Sequence, residues 1–178
     1  AKTRPGEINY SSSGTGSSQH LAGELLKSIA HIDIVHIPYK GSPPALIDLL
    51  GGRVVLMCST IAPAMPLVKS AKLRALAVTS LRRSAAAPEI PTVAESGLPG
   101  YEATAWQGVL APAGTPHDII AKLNTELVRV INLPEVRKQL AEQGYEPAGT
   151  TSEQFAEYIK TEIAKWTRVI KAAGLKAE

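Results

Sequence analysis

The residues best suited to chemistry form a run of small, uncharged side chains, SSSGTGSS, at residues 11–18. The candidate ligand-binding residues in this run are Ser12, Ser13, Gly14, Thr15, Gly16 and Ser17. Their hydroxyl groups can donate hydrogen bonds to a carboxylate, and the two glycines let the backbone approach a ligand closely. No side chain from Ile8 to Gln19 carries a formal charge. These neutral donors would therefore bind an anion reversibly.

This run must be positioned by a strand before it and a helix after it. Ile8-Asn9-Tyr10 is a short strand candidate, and apolar residues recur at helical spacing from Leu21 to Ile29. A strand-to-helix loop directs backbone N–H groups toward the positive end of the helix, which favours an anion. A capped, glycine-rich turn without a ligand explains the same composition, and spacing alone does not separate these two interpretations.

Two further loops follow predicted strands. Tyr39, Lys40 and Gly41 come after the strand candidate at 32–38, and Ser59 comes after the candidate at 54–58. In a doubly wound sheet, the loops at the carboxyl ends of the strands line the ligand crevice, so these four residues are candidate ligand-binding residues too. Lys40 either balances a carboxylate or is a solvated turn lysine. Ser59 either lies at the same edge or helps to cap the next helix.

Nucleotide and nucleic-acid binding are not supported. A phosphate-binding loop requires Gly-Lys-Ser/Thr, whereas Gly16 is followed by two serines. The dinucleotide fingerprint requires a small residue where Gln19 stands. Aromatic residues make up 4% of the chain and its basic residues are scattered, so neither a base-stacking platform nor a phosphate-backbone patch is expected.

Catalytic constellations are equally sparse. Ser17 and His20 are three residues apart, but a working base needs an orienting partner, so a helix-capping serine beside a first-turn histidine is the better interpretation. Cys58 lies in an apolar run and is predicted to be a core residue. Glu24 and Asp48 are predicted to be surface charges of helices. The sequence therefore predicts no catalytic residue, no metal and no cofactor.

The rest of the chain alternates strands and helices and then becomes mostly helical, which predicts an α/β fold with a largely parallel sheet. Further strands are predicted at 73–78 and 104–110. Further helices are predicted at 63–70, at a capping box at 92–95, and in the C-terminal part from Pro116, from Pro134 to Gly144 and from Ser152 to Gly174.

Five blocks in this order resemble the tripartite tricarboxylate transporter receptors, also called the Bug family. They are SGTGSSQHLAGE at 13–24, IPYKG at 37–41, KLRALAVT at 72–79, PTVAESG at 91–97, and WQG at 106–108 with APAGTP at 111–116. The resemblance covers nearly the whole chain. It implies a periplasmic solute-binding protein in which two α/β lobes close over a small mono- or dicarboxylate and deliver it to membrane transporter subunits.

The resemblance also implies that part of the family pattern is absent from these residues. Family members carry a signal peptide and a long first-lobe segment before the block that begins here. Residues 1–104 would form most of the second lobe, and residues 105–178 would form the helical return of the first lobe. The expected fold is thus an incomplete periplasmic-binding-protein fold. The chain by itself is expected to associate with the missing segment, to self-associate through exposed surface or to be poorly stable.

The expected function is carboxylate capture for a transporter rather than catalysis. A sensory module that presents its solute to a signalling partner remains an alternative, because sensing and transport both need only binding. An enzyme that uses the serine-rich loop as an anion cradle is the less favoured alternative.

Overall fold

The computed structural model describes residues 1–175, and packing divides the chain into two units. One unit contains Ala1–Ala105 together with the chain from Trp166 onward, and the other contains Trp106–Lys165. The sequence predicted a change of unit at residues 104–105. The assignment of the two parts to lobes of a larger protein stays a prediction.

A three-stranded parallel sheet organises the first unit. Its strands are β1 (Asn9–Ser12), β2 (Val35–Pro38) and β3 (Leu56–Met57), in the order β2-β1-β3. Because all three strands run in the same direction, the loops that follow them start from one edge of the sheet. The predicted α/β class is therefore confirmed.

A helix follows each of these strands: α1 (Ser18–Ala30), α2 (Ser42–Leu50) and α3 (Ile61–Lys69). Ser17 caps α1 in an extended conformation, as serine prefers at this position. Two prolines in the first turn of α2 cost no hydrogen bond, because the N–H groups there have no partner within the helix.

The core of the first unit forms around α1. Tyr10 of β1 is fully buried, and its ring occupies the space that a Cβ at Gly23 would need. Tyr101 is buried with Ala22 and Ala103, and its hydroxyl donates to the Ala22 carbonyl at 2.9 Å. Cys58 packs against this cluster, as its predicted core role requires, and burial raises the pKa of its thiol to about 11.

The second unit is helical. It contains α4 (His117–Ile131), α5 (Pro134–Glu142) and the start of α6 (Ser152–Ala172). A capping box opens α6, the helix predicted from Ser152. The Thr151 N–H donates to Gln154 Oε1 at 3.0 Å, and the Gln154 N–H donates to Thr151 Oγ1 at 3.2 Å. No helix within residues 1–175 has both the length and the apolarity to span a membrane.

Two predicted strands and one predicted helix are wrong. The segment at 73–78 contributes a single parallel bridge between Val78 and Thr92, and the segment at 104–110 has no regular structure. A strand needs a neighbouring strand with which it exchanges backbone hydrogen bonds, and no described residue forms such a ladder with 104–110. Thr92 and Glu95 do exchange the two bonds of a capping box, but the chain continues as a turn rather than a helix.

Candidate functional site

The residues between β1 and α1, Ser13 to Ser17, form a loop at the carboxyl edge of the sheet; we call residues 13–17 the serine-glycine loop. The Ser17 hydroxyl accepts from the His20 N–H at 3.2 Å. This bond confirms the interpretation of Ser17 as a helix cap and of His20 as a first-turn residue. The loop therefore ends in a fixed helix start, with the positive end of the helix directed at it.

The two glycines of the loop have different surroundings. A Cβ at Gly14 (φ 143°) would lie 3.3 Å from the Tyr39 carbonyl oxygen, whereas a Cβ at Gly16 (φ 75°) would meet nothing within 4 Å. Gly14 thus permits a close approach of the neighbouring loop, whereas the space beside Gly16 that a Cβ would occupy is open. Sequence reasoning assigned both glycines the same task and did not separate these roles.

Most N–H groups of the loop are bonded within the protein. The N–H of Ser13 donates to Gln19 Oε1 at 2.9 Å, and the N–H of Gly16 donates to His20 Nδ1 at 3.0 Å. The N–H of Gly14 donates to Ser12 Oγ at 3.1 Å, and the N–H of Ser17 donates to the Gly14 carbonyl at 3.2 Å. These bonds fix the shape of the loop. The N–H groups that make them are therefore not the ones that can bind an anion.

Among residues 13–20, the N–H groups that have no acceptor in the described part of the chain are those of Thr15, Ser18 and Gln19. Ser18 and Gln19 open α1, where N–H groups have no partner within the helix and the helix dipole favours negative charge. Thr15 and Ser18 are exposed. Together these groups offer backbone donors to a small anion, and of the three only Thr15 was a sequence-predicted site residue.

The loop after β2 lies directly beside the serine-glycine loop. The Tyr39 N–H donates to the Ser12 carbonyl at 3.2 Å, and the Gly41 N–H donates to the Ser13 carbonyl at 3.0 Å. The Gln19 side chain links the two loops, because its Nε2 donates to Ser42 Oγ at 3.1 Å while its Oε1 accepts from the serine-glycine loop. The structure thus brings the first two predicted segments together.

The side chains of the loop after β2 have different roles. The Tyr39 hydroxyl donates to Asp48 Oδ2 at 2.8 Å, and Asp48 also pairs with Arg53 at 2.8 Å. The hydrogen bond to Asp48 raises the pKa of Tyr39. Lys40 is exposed, and its ammonium group makes no ion pair within residues 1–175. Lys40 is therefore available to an anionic ligand, and the contact itself stays a prediction.

The third predicted segment also lies at this edge of the sheet. Ser59 follows β3, which pairs in parallel with β1. Its hydroxyl donates to the Thr60 carbonyl at 3.0 Å, and Thr60 occupies the N-cap of α3 without a side-chain cap bond. The alternative that these two hydroxyls cap α3 is therefore not what the structure shows. Ligand contact by Ser59 remains a prediction.

A buried polar cluster lies beneath the serine-glycine loop, and sequence reasoning missed it. Glu24, predicted to be a surface charge, is 6% exposed. Its Oε1 accepts from the Tyr10 hydroxyl at 2.8 Å and from Lys27 Nζ at 2.9 Å. Burial, with the hydrogen bond to Glu24, raises the pKa of Tyr10 far above its ordinary value. The polar spacing of His20, Glu24 and Lys27 places them on one helical face, and this was the signal available in the sequence.

Two histidines connect this cluster to the loop. The imidazole rings of His20 and His36 are stacked, with centroids 3.7 Å apart and planes inclined by 9°. His36 Nε2 lies 2.7 Å from Ser12 Oγ. Burial is the main cause that lowers the pKa of both rings, for His36 to about 4.

The serine-histidine contact does not have the features of a nucleophile and its base. Ser12 is fully buried, so its hydroxyl cannot reach a substrate, and that hydroxyl already accepts from the Gly14 N–H. Among residues 1–175, no carboxylate orients His36 through a hydrogen bond, and no group of three metal-ligating side chains is present. The arrangement holds a loop in place, as binding requires.

Residues 1–175 match the tripartite tricarboxylate transporter family receptor. The chain belongs to this family, as the five sequence blocks indicated. It is 40% identical over 178 residues to the UPF0065 protein in the tcbD-tcbE intergenic region of Pseudomonas sp. strain P51, and the match covers 99% of this chain and 53% of that relative.

Solved structures share the fold. R. palustris Rpa4515 with adipate matches with a TM-score of 0.85 and 40% identity, over 98% of this chain and 58% of that one. MatC (Rpa3494) from Rhodopseudomonas palustris with bound malate matches with a TM-score of 0.73 and 32% identity, over 93% of this chain and 57% of that one. The chain thus spans a little over half the length of these proteins, which confirms the predicted fold as an incomplete two-lobed solute-binding fold.

Proposed function

We propose that this chain is part of an extracytoplasmic receptor that captures a small organic acid, and that the serine-glycine loop binds one carboxylate of that acid. The observation that carries the proposal is the set of backbone N–H groups at the start of α1, those of Thr15, Ser18 and Gln19, that have no acceptor in the described part of the chain. Preorganised donors at a helix N-terminus suit a carboxylate.

The neighbouring loop supplies the second element of the proposed site. Gly14 allows the Tyr39 carbonyl to approach closely, so the two loops share one edge with Lys40 exposed beside them. Lys40 adds a positive charge, and the loop hydroxyls add donors. Adipate and malate in the two matched structures indicate the ligand class: a short chain with a carboxylate at each end.

Family membership supports the biological setting. We propose that the receptor acts in the periplasm and delivers its solute to the membrane subunits of a tripartite tricarboxylate-type transporter. The alternative of an enzyme loses support because Ser12 is buried and its hydroxyl is used within the loop.

Thermal unfolding of the purified chain against a panel of mono- and dicarboxylates, including adipate and malate, tests the proposal. A ligand that binds the folded state alone raises the Tm in a concentration-dependent manner. Matched amides and alcohols of the same chain length are the controls, because they lack the carboxylate but keep its shape. A panel in which no carboxylate raises the Tm more than its amide argues against a carboxylate site in this chain.

A further inference from the structure

The stacked His20–His36 pair is linked to both glycines of the serine-glycine loop, to Gly16 directly and to Gly14 through Ser12. The Gly16 N–H donates directly to His20 Nδ1 at 3.0 Å. The Gly14 N–H donates to Ser12 Oγ at 3.1 Å, and the same oxygen lies 2.7 Å from His36 Nε2. Each imidazole is thus one or two hydrogen bonds away from the loop backbone.

The bond to Gly16 requires a neutral His20. A nitrogen that accepts a hydrogen bond carries no proton, so Nδ1 is bare and the proton of the ring is on Nε2. His20 Nε2 faces Glu24 Oε1 at 3.8 Å. Protonation of Nδ1 would place two donors against each other, and the Gly16 tether would break.

The surroundings of the pair oppose a charge on it. His20 is 2% exposed, and the planes of the two rings are nearly parallel, so a positive charge on one ring would lie against the other. Glu24 favours a charge, but its carboxylate already accepts from Tyr10 and from the cationic Lys27. Burial lowers the pKa of His20, Glu24 raises it and Lys27 lowers it. For His36, burial and the neighbouring His20 lower the pKa to about 4.

We propose that neutral His20 and His36 act as positioning residues for the serine-glycine loop, and that protonation of His20 releases the Gly16 N–H and weakens carboxylate capture. The effect on capture rests on the proposed function, whereas the effect on the loop does not require a ligand. Tyr10, Glu24 and Lys27 are the other titratable groups that face the pair, and their bonds to one another stay in place at neutral pH.

Nuclear magnetic resonance of the ¹⁵N-labelled chain tests the loop without a ligand. We expect a through-hydrogen-bond ¹⁵N–¹⁵N coupling between the Gly16 amide and His20 Nδ1 at neutral pH. The coupling should vanish, and the Gly16 amide signal should shift, along the same titration curve as the His20 imidazole. His31 is exposed at the end of α1, so the variant His31→Asn should leave the Gly16 result unchanged.

His20→Asn separates positioning from general stability, because its amide oxygen can accept from Gly16 at the Nδ1 position and does not titrate. We expect this variant to keep the Gly16 signal of the wild type and to lose its pH dependence. With adipate as the probe, Kd of the wild type should rise about fivefold more than that of the variant across the pH range in which the His20 imidazole signals titrate. The probe's own titration is the same for both proteins.

The outcomes distinguish this inference from the proposed function. If adipate binds neither protein but the Gly16 signal follows the His20 imidazole, the positioning role stands and adipate capture fails. If adipate binds and the Gly16 signal ignores the His20 titration, the positioning role is overturned and the carboxylate site stands. Should His20→Asn fail to fold, the wild-type titration alone decides.

Discussion

The hydroxyl of Ser12, the last residue of β1, lies 2.7 Å from Nε2 of His36 in the neighbouring strand β2. This contact joins two strands through side chains at the edge from which the candidate binding loops start. Ser12 also accepts from the Gly14 N–H, so the contact fixes the first turn of the serine-glycine loop. Ser12, a buried serine of a type suited to chemistry, therefore holds the loop in place, and the exposed donors lie further along the loop.

The first prediction separates the Ser18 N–H from the Ser18 hydroxyl. Ser18 is the first residue of α1, and Ser17 before it has the extended conformation that a following proline requires (φ −63°, ψ 158°). Ser18→Pro should leave the Tm of the free chain nearly unchanged and weaken carboxylate binding about tenfold, since a charged hydrogen bond contributes about 1.5–3 kcal/mol. Calorimetric titration with the tightest acid of the panel measures it.

Ser18→Ala is the matched control for that substitution, because it removes the hydroxyl and keeps the N–H. It should bind as the wild type does. Equal affinity of Ser18→Pro and wild type would show that this N–H does not contact the ligand.

The second prediction compares the two glycines of the loop. Gly14→Ala places a Cβ 3.3 Å from the Tyr39 carbonyl, whereas the Cβ of Gly16→Ala points into open space. Both sites have positive φ, which costs about 1 kcal/mol for a residue with a side chain. The Tm of free Gly14→Ala should therefore fall further than that of Gly16→Ala, and ligand affinity should fall in both. A larger loss of stability for Gly16→Ala would contradict the assigned surroundings.

The third prediction concerns Lys40, which is exposed at the site edge. If the charge of Lys40 attracts the ligand's carboxylate, Lys40→Met should weaken binding severalfold. The affinity should also become less sensitive to salt, because salt screens this attraction in the wild type and the variant no longer has it. Titrations at low and high ionic strength measure both effects. Lys69→Met, at the exposed end of α3, is the matched control. Unchanged affinity and salt dependence would identify Lys40 as a solvated turn residue.

The fourth prediction is acid destabilisation through His36. Its pKa is lowered from 6.5 to about 4 in the folded chain, so the unfolded chain binds more protons between these values. The contribution to stability is complete above pH 6.5 and is lost as the pH falls toward 4. The free energy of unfolding should fall by at most about 3 kcal/mol, less where solvent reaches the half-buried ring.

Denaturant unfolding at neutral and acid pH measures this loss. His36→Gln keeps a hydrogen-bonding group near the Nε2 position without titrating, so its stability should depend less on pH. His31→Asn, at an exposed left-handed position that asparagine tolerates, should retain the wild-type pH dependence. The same acid loss in His36→Gln as in the wild type would assign the effect to other groups.

The strand-loop-helix unit was predictable from the sequence because its information is local. Small residues, a serine cap and a helical apolar period all lie within residues 8–30. The polar spacing around Glu24 was a signal in the sequence, but the burial of Glu24 and the role of His36 were not predictable, since each depends on which neighbour lies across the packed face. The strand predicted at 104–110 failed for a related reason: β-propensity describes the segment, whereas a ladder also requires a partner.

The second unit, by contrast, shows what a helical period of apolar residues can and cannot predict. Leu123 and Leu127 recur at helical spacing in α4, the helix predicted from Pro116, but they are 49% and 40% exposed. Ile120 and Val128 on the adjacent face are the half-buried ones. The period of the apolar residues shows which side of the helix is apolar, but it does not show which other residues pack on that side.

The last prediction is that the purified chain associates through α4. Ile119, Leu123, Leu127 and Val130 recur along one helical face and are exposed. Within residues 106–165, all of which the structure describes, the only buried residue is Glu162. A continuous exposed apolar face is a site of association. The mean mass measured by light scattering should therefore rise with concentration.

Replacing Leu123 and Leu127 together by Gln tests that face, since glutamine keeps helix propensity and removes the apolar surface. The double variant should remain monomeric at concentrations where the wild type associates. Lys122→Gln with Glu126→Gln, at neighbouring exposed positions of the same helix, is the control and should associate as the wild type does. A wild-type chain that stays monomeric over the full concentration range would show that this face does not drive association in solution.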